Sequence, residues 1–491
     1  MLSKTRIKHL CGVILVGSSV ALAAPVQATS DAMLKLIDIM QAKGTLTREE
    51  ADALKQAAVA DAEQTEGIKE EAKKVAEETS RDAIKDIPKI ETNGKLKIES
   101  ADGDFEWQPI GRVMADYSWV NSDINHLGSG AEMRRARLGM EGAMWKHWIW
   151  KLEFDFAPGE ADMKDAYVGY EGDDNWWIKV GQQHIPFGFA TMSSSKYMLF
   201  TERPFLADGT LQLARHIGIA AFKHAANGRW TLHAGVFAGP QPEDPDGCNS
   251  SPVPDECDEQ FSVAARGTFL PWMQDANHLI NVGGAVWYRN PQDSAVSIEQ
   301  RPGIFHLLDD KFVSVKFGNN GVGGNAGVAA DDILAFNAEG LLIYGPFSVG
   351  GEYTHWTVDT EPLIGMSGST PDIDLDGYYV EGSFFLTGES MNYKTSKAQY
   401  DSITPNSIVG KGGIGAWQVA VRYDDLDLND SDLPAGVGGE MKGIALGLNW
   451  YVNKNMRFMA DYYNVLQLDR PGNKFDNDEP SGVTVRGQVK W

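Results

Sequence analysis

No apolar run beyond residue 28 of this 491-residue chain approaches the roughly 18–20 residues that a membrane-crossing helix needs. Mean hydropathy is mildly polar, at -0.30. Such a chain is either an exported soluble protein or a β-barrel, whose lipid-facing residues alternate with polar ones and escape a hydropathy window. Cationic residues are scarce: 44 Lys and Arg stand against 68 Asp and Glu, a formal net charge of -24. That balance argues against nucleic acid as a partner, since a phosphate backbone is bound by clustered cations. Nothing suggests an enzyme. His147, His184, His216 and His233 are scattered, no nucleophile motif accompanies them, and no cofactor is expected.

The first residues break the pattern. Lys4, Arg6 and Lys8 precede an apolar run from Leu10 to Leu22, with Ala23, Ala24 and Ala28 around its end. A positive start, a short apolar middle and small residues mark a secretory signal, expected to span 1–28. Cys11 does not sit where a lipoprotein cysteine would. Losing the three cations leaves a net charge of about -27. Only Cys248 and Cys257 survive cleavage, close together in DPDGCNSSPVPDECDEQ. In an oxidising exported setting a local disulfide is expected, and the lack of a nearby His disfavours a metal site.

Residues 30–90 hold no Trp, Tyr or Phe and are rich in Ala, Glu and Lys. Met33, Leu36, Ile37 and Met40 recur at helical spacing, and Gly44 breaks the run. Thr47 and Glu50 fit a capping box that opens a second helix. Ile68, Val75, Ile84 and Ile87 among charges suggest a further, weakly coiled-coil-like helix closed by Pro88. Residues 29–93 are therefore expected to form a helical periplasmic extension, solvated or reaching other chains or the cell wall.

What the rest of the chain has in abundance is alternation. Leu152, Phe154 and Phe156 alternate with Lys151, Glu153 and Asp155, and Trp176, Ile178 and Val180 with Trp177, Lys179 and Gly181. Ile444, Leu446, Leu448 and Trp450 repeat the pattern, and the chain ends in it at Val489 and Trp491. A period of two gives one apolar and one polar face. About sixteen such strands fit between Phe105 and Trp491, an even number and enough to enclose an aqueous channel. Gly (52), Trp (14) and aromatics at 10% suit turns and interfacial girdles. Short links near Gly172–Asn175, Gly345–Pro346 and Asn453–Asn455 alternate with long ones at 185–215, 239–259 and 290–330. The long segment 389–413 violates that alternation. The fold expected for 94–491 is an all-β, antiparallel transmembrane β-barrel of about sixteen strands in a bacterial outer membrane, with lipid around it.

The runs RRARLGMEG at 134–142, WKHWIWKLEFDF at 145–156, KDAYVGY at 164–170, KVGQQHIPFGF at 179–189 and SSSKYMLFTER at 193–203 resemble the phosphate-selective porin O/P family. FFLTGESMNYKTSKAQYDSITPNS at 384–407 and GAWQVAVRYDDLDL at 415–428 continue the resemblance, which covers nearly all of the chain from Gly94 to Trp491. It implies a sixteen-stranded, homotrimeric outer-membrane channel and accounts for the long periplasmic segment at 389–413.

A porin needs fixed charges that favour a solute without trapping it. Arginine suits oxyanions, because its planar fork pairs with two oxygens and never deprotonates. Parity points Arg135 and Arg137 inward, with Leu138 and Met140 outward, and sets Arg112 on the pore face opposite Val113 and Tyr117. Arg134 sits where local twist brings it inward. Arg266 and Arg422 share the pore-facing parity, together with Glu141, Glu153, Asp155, Asp165 and Glu381. The resemblance implies an anion site in which Arg112, Arg134, Arg135 and Lys196 match the family's motifs, with Arg203 and Arg215 in or beside the 185–215 loop. Arg137 stands where the family need not be basic. No dense lysine ladder is visible on the later strands, and the 239–259 loop is acidic. Passive diffusion of small anions such as phosphate is expected; a weakly selective porin and an envelope tether remain as alternatives.

Overall fold

The alternating segments become strands because each carries one face suited to lipid and one suited to water, and pairing satisfies every backbone group between them. The computed structural model describes residues 26–491 except 86, 158, 208, 213, 239–260, 292–294, 304–305, 307–310, 319–325 and 364–366, and no side chains within 26–31 and 77–85. The signal expectation for 1–28 and the proposed Cys248–Cys257 pair lie outside the described residues, apart from the backbone of 26–28. Two compact units emerge, up to Ile87 and from Pro88 onward.

In the first unit, α1 (Val26–Ala42) and α2 (Arg48–Lys85) form a helical pair. Ile37 and Ala51 are buried between them, and Lys55 pairs with Asp38 at 2.6 Å. The capping box forms as expected: the Glu50 carboxylate accepts from the Thr47 backbone N–H at 2.9 Å, and Thr47 Oγ1 accepts from the Glu50 N–H at 3.3 Å. The sequence suggested two separate helices after Thr47. Instead α2 runs unbroken for 38 residues, because Gly67 only weakens a helix while proline alone would end it.

In the second unit a short hairpin, Lys89–Glu91 with Lys97–Glu99, leads into sixteen wall strands. These are β1 (Phe105–Asn121), β2 (Gly130–Met144), β3 (Trp148–Asp155), β4 (Asp162–Gly172), β5 (Trp176–His184), β6 (Arg215–His224), β7 (Trp230–Phe237) and β8 (Ser262–Asp275). They continue as β9 (His278–Arg289), β10 (Ala329–Tyr344), β11 (Phe347–Glu361), β12 (Ile373–Phe385), β13 (Ala416–Asp427), β14 (Glu440–Tyr451), β15 (Met456–Asp469) and β16 (Ser481–Lys490). Each pairs antiparallel with its neighbour. β16 returns to β1 in a register running from Ser481↔Asn121 to Lys490↔Arg112, so the sheet is closed. The sixteen-stranded barrel expected from the sequence is therefore the fold.

The outer face carries Leu138, Val180, Ile219, Leu232, Phe336, Val380 and Leu446, all exposed. Rings collect at its two ends. At the end bearing the C-terminus Trp417 stacks on Trp450 at 5.4 Å, Trp450 on Phe458 at 5.7 Å, and Trp148 meets Tyr170 edge-on. At the opposite end Tyr117 meets Trp119 and Tyr378 meets Tyr423. These are the two aromatic belts of a membrane barrel.

The bore is not left open. Residues 185–214 fold inward from the long-loop end, burying Ile185, Phe187, Leu199, Phe200, Phe205 and Leu211. An irregular segment inside a barrel leaves backbone groups to satisfy, and wall side chains do so. Glu352 accepts from the Ala190 N–H at 2.9 Å, Asp461 from Thr201 at 2.5 Å and Asp424 from Phe205 at 3.2 Å. Asn449 donates to the Leu199 carbonyl, Arg457 to Met198 and Arg486 to Thr201. The 389–413 segment enters from the other end. Arg266 donates to its Ala398 carbonyl at 3.0 Å, and the Tyr393 hydroxyl to Asn281 at 2.9 Å. The two insertions meet where Phe189 lies against Tyr400 at 4.8 Å. A hairpin not foreseen within 290–330, Val296–Gln300 with Val313–Phe317, packs over the far mouth, where Gln300 donates to the Phe205 carbonyl at 2.7 Å.

Candidate functional site

Between the insertions and the wall of β16 and β1–β7 lies a cavity of about 750 Å³ that reaches the short-turn end of the barrel. Arg112, Arg137, Lys196, Arg203 and Arg215 line it. Arg134 and Arg135 are not in its lining. The register explains why both nonetheless face inward: Met114 pairs with Arg135 and Ala115 with Met133, so Arg134 is the extra residue of a β-bulge. Its fork grips Glu202 of the 185–214 insertion at 2.7 and 2.8 Å. Burial pushes the Glu202 carboxyl up, yet Arg134, Arg135 and Arg486 around it hold it well below the usual range. Arg135 is buried with Nη1 3.8 Å from the Met114 sulfur.

The arginines of the cavity act mainly as fasteners. Arg112 pairs with Glu153 at 2.7 Å and donates to Ser195 at 2.7 Å, which ties β1 to the insertion. Arg137 pairs with Asp155 at 2.7 Å. Arg203 donates to the carbonyls of Ala190 and Ser193, both at 2.9 Å, and so fixes the insertion's own turn. A ladder of alternating charge crosses the wall: Arg112 to Glu153, Glu153 to Lys151 at 3.3 Å, Lys151 to Asp165 at 2.6 Å, and Asp165 to Arg215 at 2.8 Å. Of the two later arginines, Arg266 is held two-fold by Glu339, and Arg422 pairs with Asp424.

What sequence reasoning missed is lysine. Lys151, Lys164, Lys179, Lys394, Lys397, Lys454 and Lys490 join Lys196 around the cavity. Among the described residues, Lys179, Lys196, Lys394, Lys397 and Lys490 have no carboxylate within ion-pair distance. Lys179 Nζ lies instead 3.9 Å from the Trp177 ring centre and 4.4 Å from that of Tyr167. Lys490 Nζ lies 4.1 Å over Tyr197 and donates to Ser402 Oγ at 2.7 Å. Alternation already set Lys151 and Lys179 on the polar face of their strands. No pattern announced Lys394 and Lys397, since they ride on the second insertion. On the loops, burial and the nearby Arg112 push the Lys196 ammonium down to about 8, and burial with Lys394 lowers Lys397. Glu91, Glu141 and Asp401 line the cavity too, but its lysines and arginines outnumber its carboxylates, so its lining is net positive inside a net acidic protein, an arrangement that attracts anions.

Residues 109–491 match the family described as phosphate-selective porin O and P. The chain is 30% identical to Porin O of Pseudomonas aeruginosa over 427 residues, covering 81% of this chain and 91% of the relative. An uncharacterized protein of Caulobacter vibrioides is 28% identical over 376 residues, 73% of this chain and 68% of its own. Among solved structures, OmpT of Vibrio cholerae in a loop L8 deletion form aligns over 79% of this chain and all of its own, at 13% identity and a TM-score of 0.48. With a closed sixteen-stranded wall, an apolar outer belt and a family match over most of its length, the chain is an outer-membrane porin of the phosphate-selective porin O and P family.

Proposed function

We propose that the porin conducts small anions, phosphate-type oxyanions foremost, through the lysine-lined cavity. The observation that carries this is the set of five lysines facing the bore with no carboxylate partner among the described residues. An ammonium–oxyanion contact at ~4 Å in an effective dielectric of ~20 is worth about 4 kcal/mol. Several such contacts in series let an anion hop, where one deep site would hold it. Arg112, Arg137, Lys196, Arg203 and Arg215 shape this path; Arg134 supports it by gripping Glu202 of the insertion, and the charge of Arg135 nearby helps keep that carboxylate ionised. The name of the Pseudomonas relative's family supports phosphate as the solute. Family membership supports a homotrimer. The α1–α2 unit is proposed as a periplasmic extension exposed once a signal at 1–28 is removed, and the proposal contains no catalytic step.

The test is the reversal potential in a tenfold potassium chloride gradient across a planar bilayer, with phosphate added as a blocker of chloride current. Anion preference and a block by phosphate are expected, both reduced by Lys397→Gln. A cation-preferring wild type overturns the proposal. Anion preference with no phosphate block favours the weakly selective porin, a reading to which the carboxylate-paired arginines lend some weight.

A further inference from the structure

The cavity holds its cations in two different ways. Arg112, Arg137, Lys151 and Arg215 sit against carboxylates, so each charge is cancelled close to its source. Lys179 sits against rings, and Lys490 against a ring and the neutral Ser402 hydroxyl. We propose that Tyr167, Trp177 and Tyr197 are positioning residues, which hold the Lys179 and Lys490 ammonium groups in the anion path without neutralising them.

The proposal rests on the anion-path reading above and deepens it. Inward rings are common in this barrel, but Trp287 and Trp356 are packed out of reach of solvent, whereas Tyr167, Trp177 and Tyr197 line the cavity beside lysines. Trp176 does meet the Tyr170 ring at 5.8 Å, whereas its neighbour Trp177 lines the bore. Trp177 is itself fixed, stacked on Phe222 at 5.3 Å with a 13° angle and edge-on to His233 at 5.0 Å. That stack gives the Lys179 ammonium a rigid seat.

The physics distinguishes a ring from a carboxylate. A carboxylate adds a negative charge that cancels the lysine's field for any passing ion. A ring attracts the ammonium through its quadrupole, whose field fades faster with distance, and leaves the net charge intact. Without some hold, a flexible lysine stem facing its own kind, as Lys196 and Lys490 do, is free to swing away. Tyr197 also carries Lys196 at 5.8 Å, so one ring serves lysines from the wall and from the insertion.

The full-length porin in planar bilayers tests this with two readouts: the reversal potential in a chloride gradient and the phosphate concentration that halves chloride current. Trp177→Leu is expected to raise the half-blocking concentration roughly three- to tenfold and to move the reversal potential toward cations. Trp177→Phe, which keeps a ring, is expected to retain most of both. Tyr197→Leu and Tyr197→Phe repeat the comparison for Lys490, and Tyr197 itself lies on the 185–214 insertion, away from the folding-critical wall. A loss as large in Trp177→Phe as in Trp177→Leu would mark mere widening of the bore, which weakens selectivity by distance and screening, and would overturn the inference. If the leucine variants match wild type while Lys179→Gln and Lys490→Gln lose selectivity, the rings only fill space and the inference is overturned. If the lysine variants are also silent, the anion path itself is wrong.

Discussion

At the scale of single residues, charge state decides what the cavity does. Lys196 lies on the 185–214 insertion with its ammonium pushed down to about 8 by burial and Arg112. A lysine with a lowered pKa is charged below that value and loses its charge as pH rises through it. Affinity for an anion of fixed charge such as sulfate is therefore expected to be full at pH 6–7 and to fall severalfold by about pH 9. Lys196→Arg keeps the charge and should flatten the profile. Current block by sulfate, measured between pH 6 and 9, checks both, and a flat wild-type profile removes Lys196 from the path. Parity legibly placed Arg112, Arg135 and Arg137 inward, because a strand's side chains alternate strictly. It could not place Arg134, since a bulge adds one residue and breaks the count. Nor could it tell a free cation from a fastened one: Glu202, which holds Arg134, is 68 residues away in sequence.

At the scale of elements, the two insertions set the bore's width, and each is tied to the wall by identifiable side chains. Glu352 accepts from the Ala190 N–H at 2.9 Å and from Gln212 at 2.6 Å, pinning both limbs of the 185–214 insertion to β11. Glu352→Ala removes both bonds, at a cost of about 1–3 kcal/mol for the buried groups left unpaired. The loosened insertion is expected to give noisier channels with larger open conductance, seen in single-channel records, while the wall remains folded. A trace indistinguishable from wild type would show that Asp461, Asp424 and Asn449 suffice to hold it. Here too legibility was partial. The length of 389–413 among otherwise short turns stood out in the sequence. Its path into the bore depends on Arg266 and Asn281, on strands far away in the chain, and no local pattern encodes that. The helices show the converse case. The Thr47–Glu50 cap was readable because its partners lie three residues apart.

At the scale of the molecule, alternation gave away the architecture because lipid imposes it on every strand at once, and a barrel has no free edge to spare. Closure is made by ten register pairs between β16 and β1, and Trp491 exchanges backbone bonds with Gly111 at 3.2 Å just beyond them. Removing residues 481–491 would strand the donors and acceptors of β1 and β15 in an apolar medium, where each unsatisfied group costs several kcal/mol. That truncation is expected to abolish the compact, heat-modifiable band on cold electrophoresis and all channel activity. The strand ladder of the wall runs from Phe105 to Lys490, all within the second unit. A chain with that extension deleted behind an intact signal is expected to keep the band and its unit conductance. Should loss of the extension abolish the band as well, the α1–α2 unit would be part of how the barrel is built and not an appendage to it.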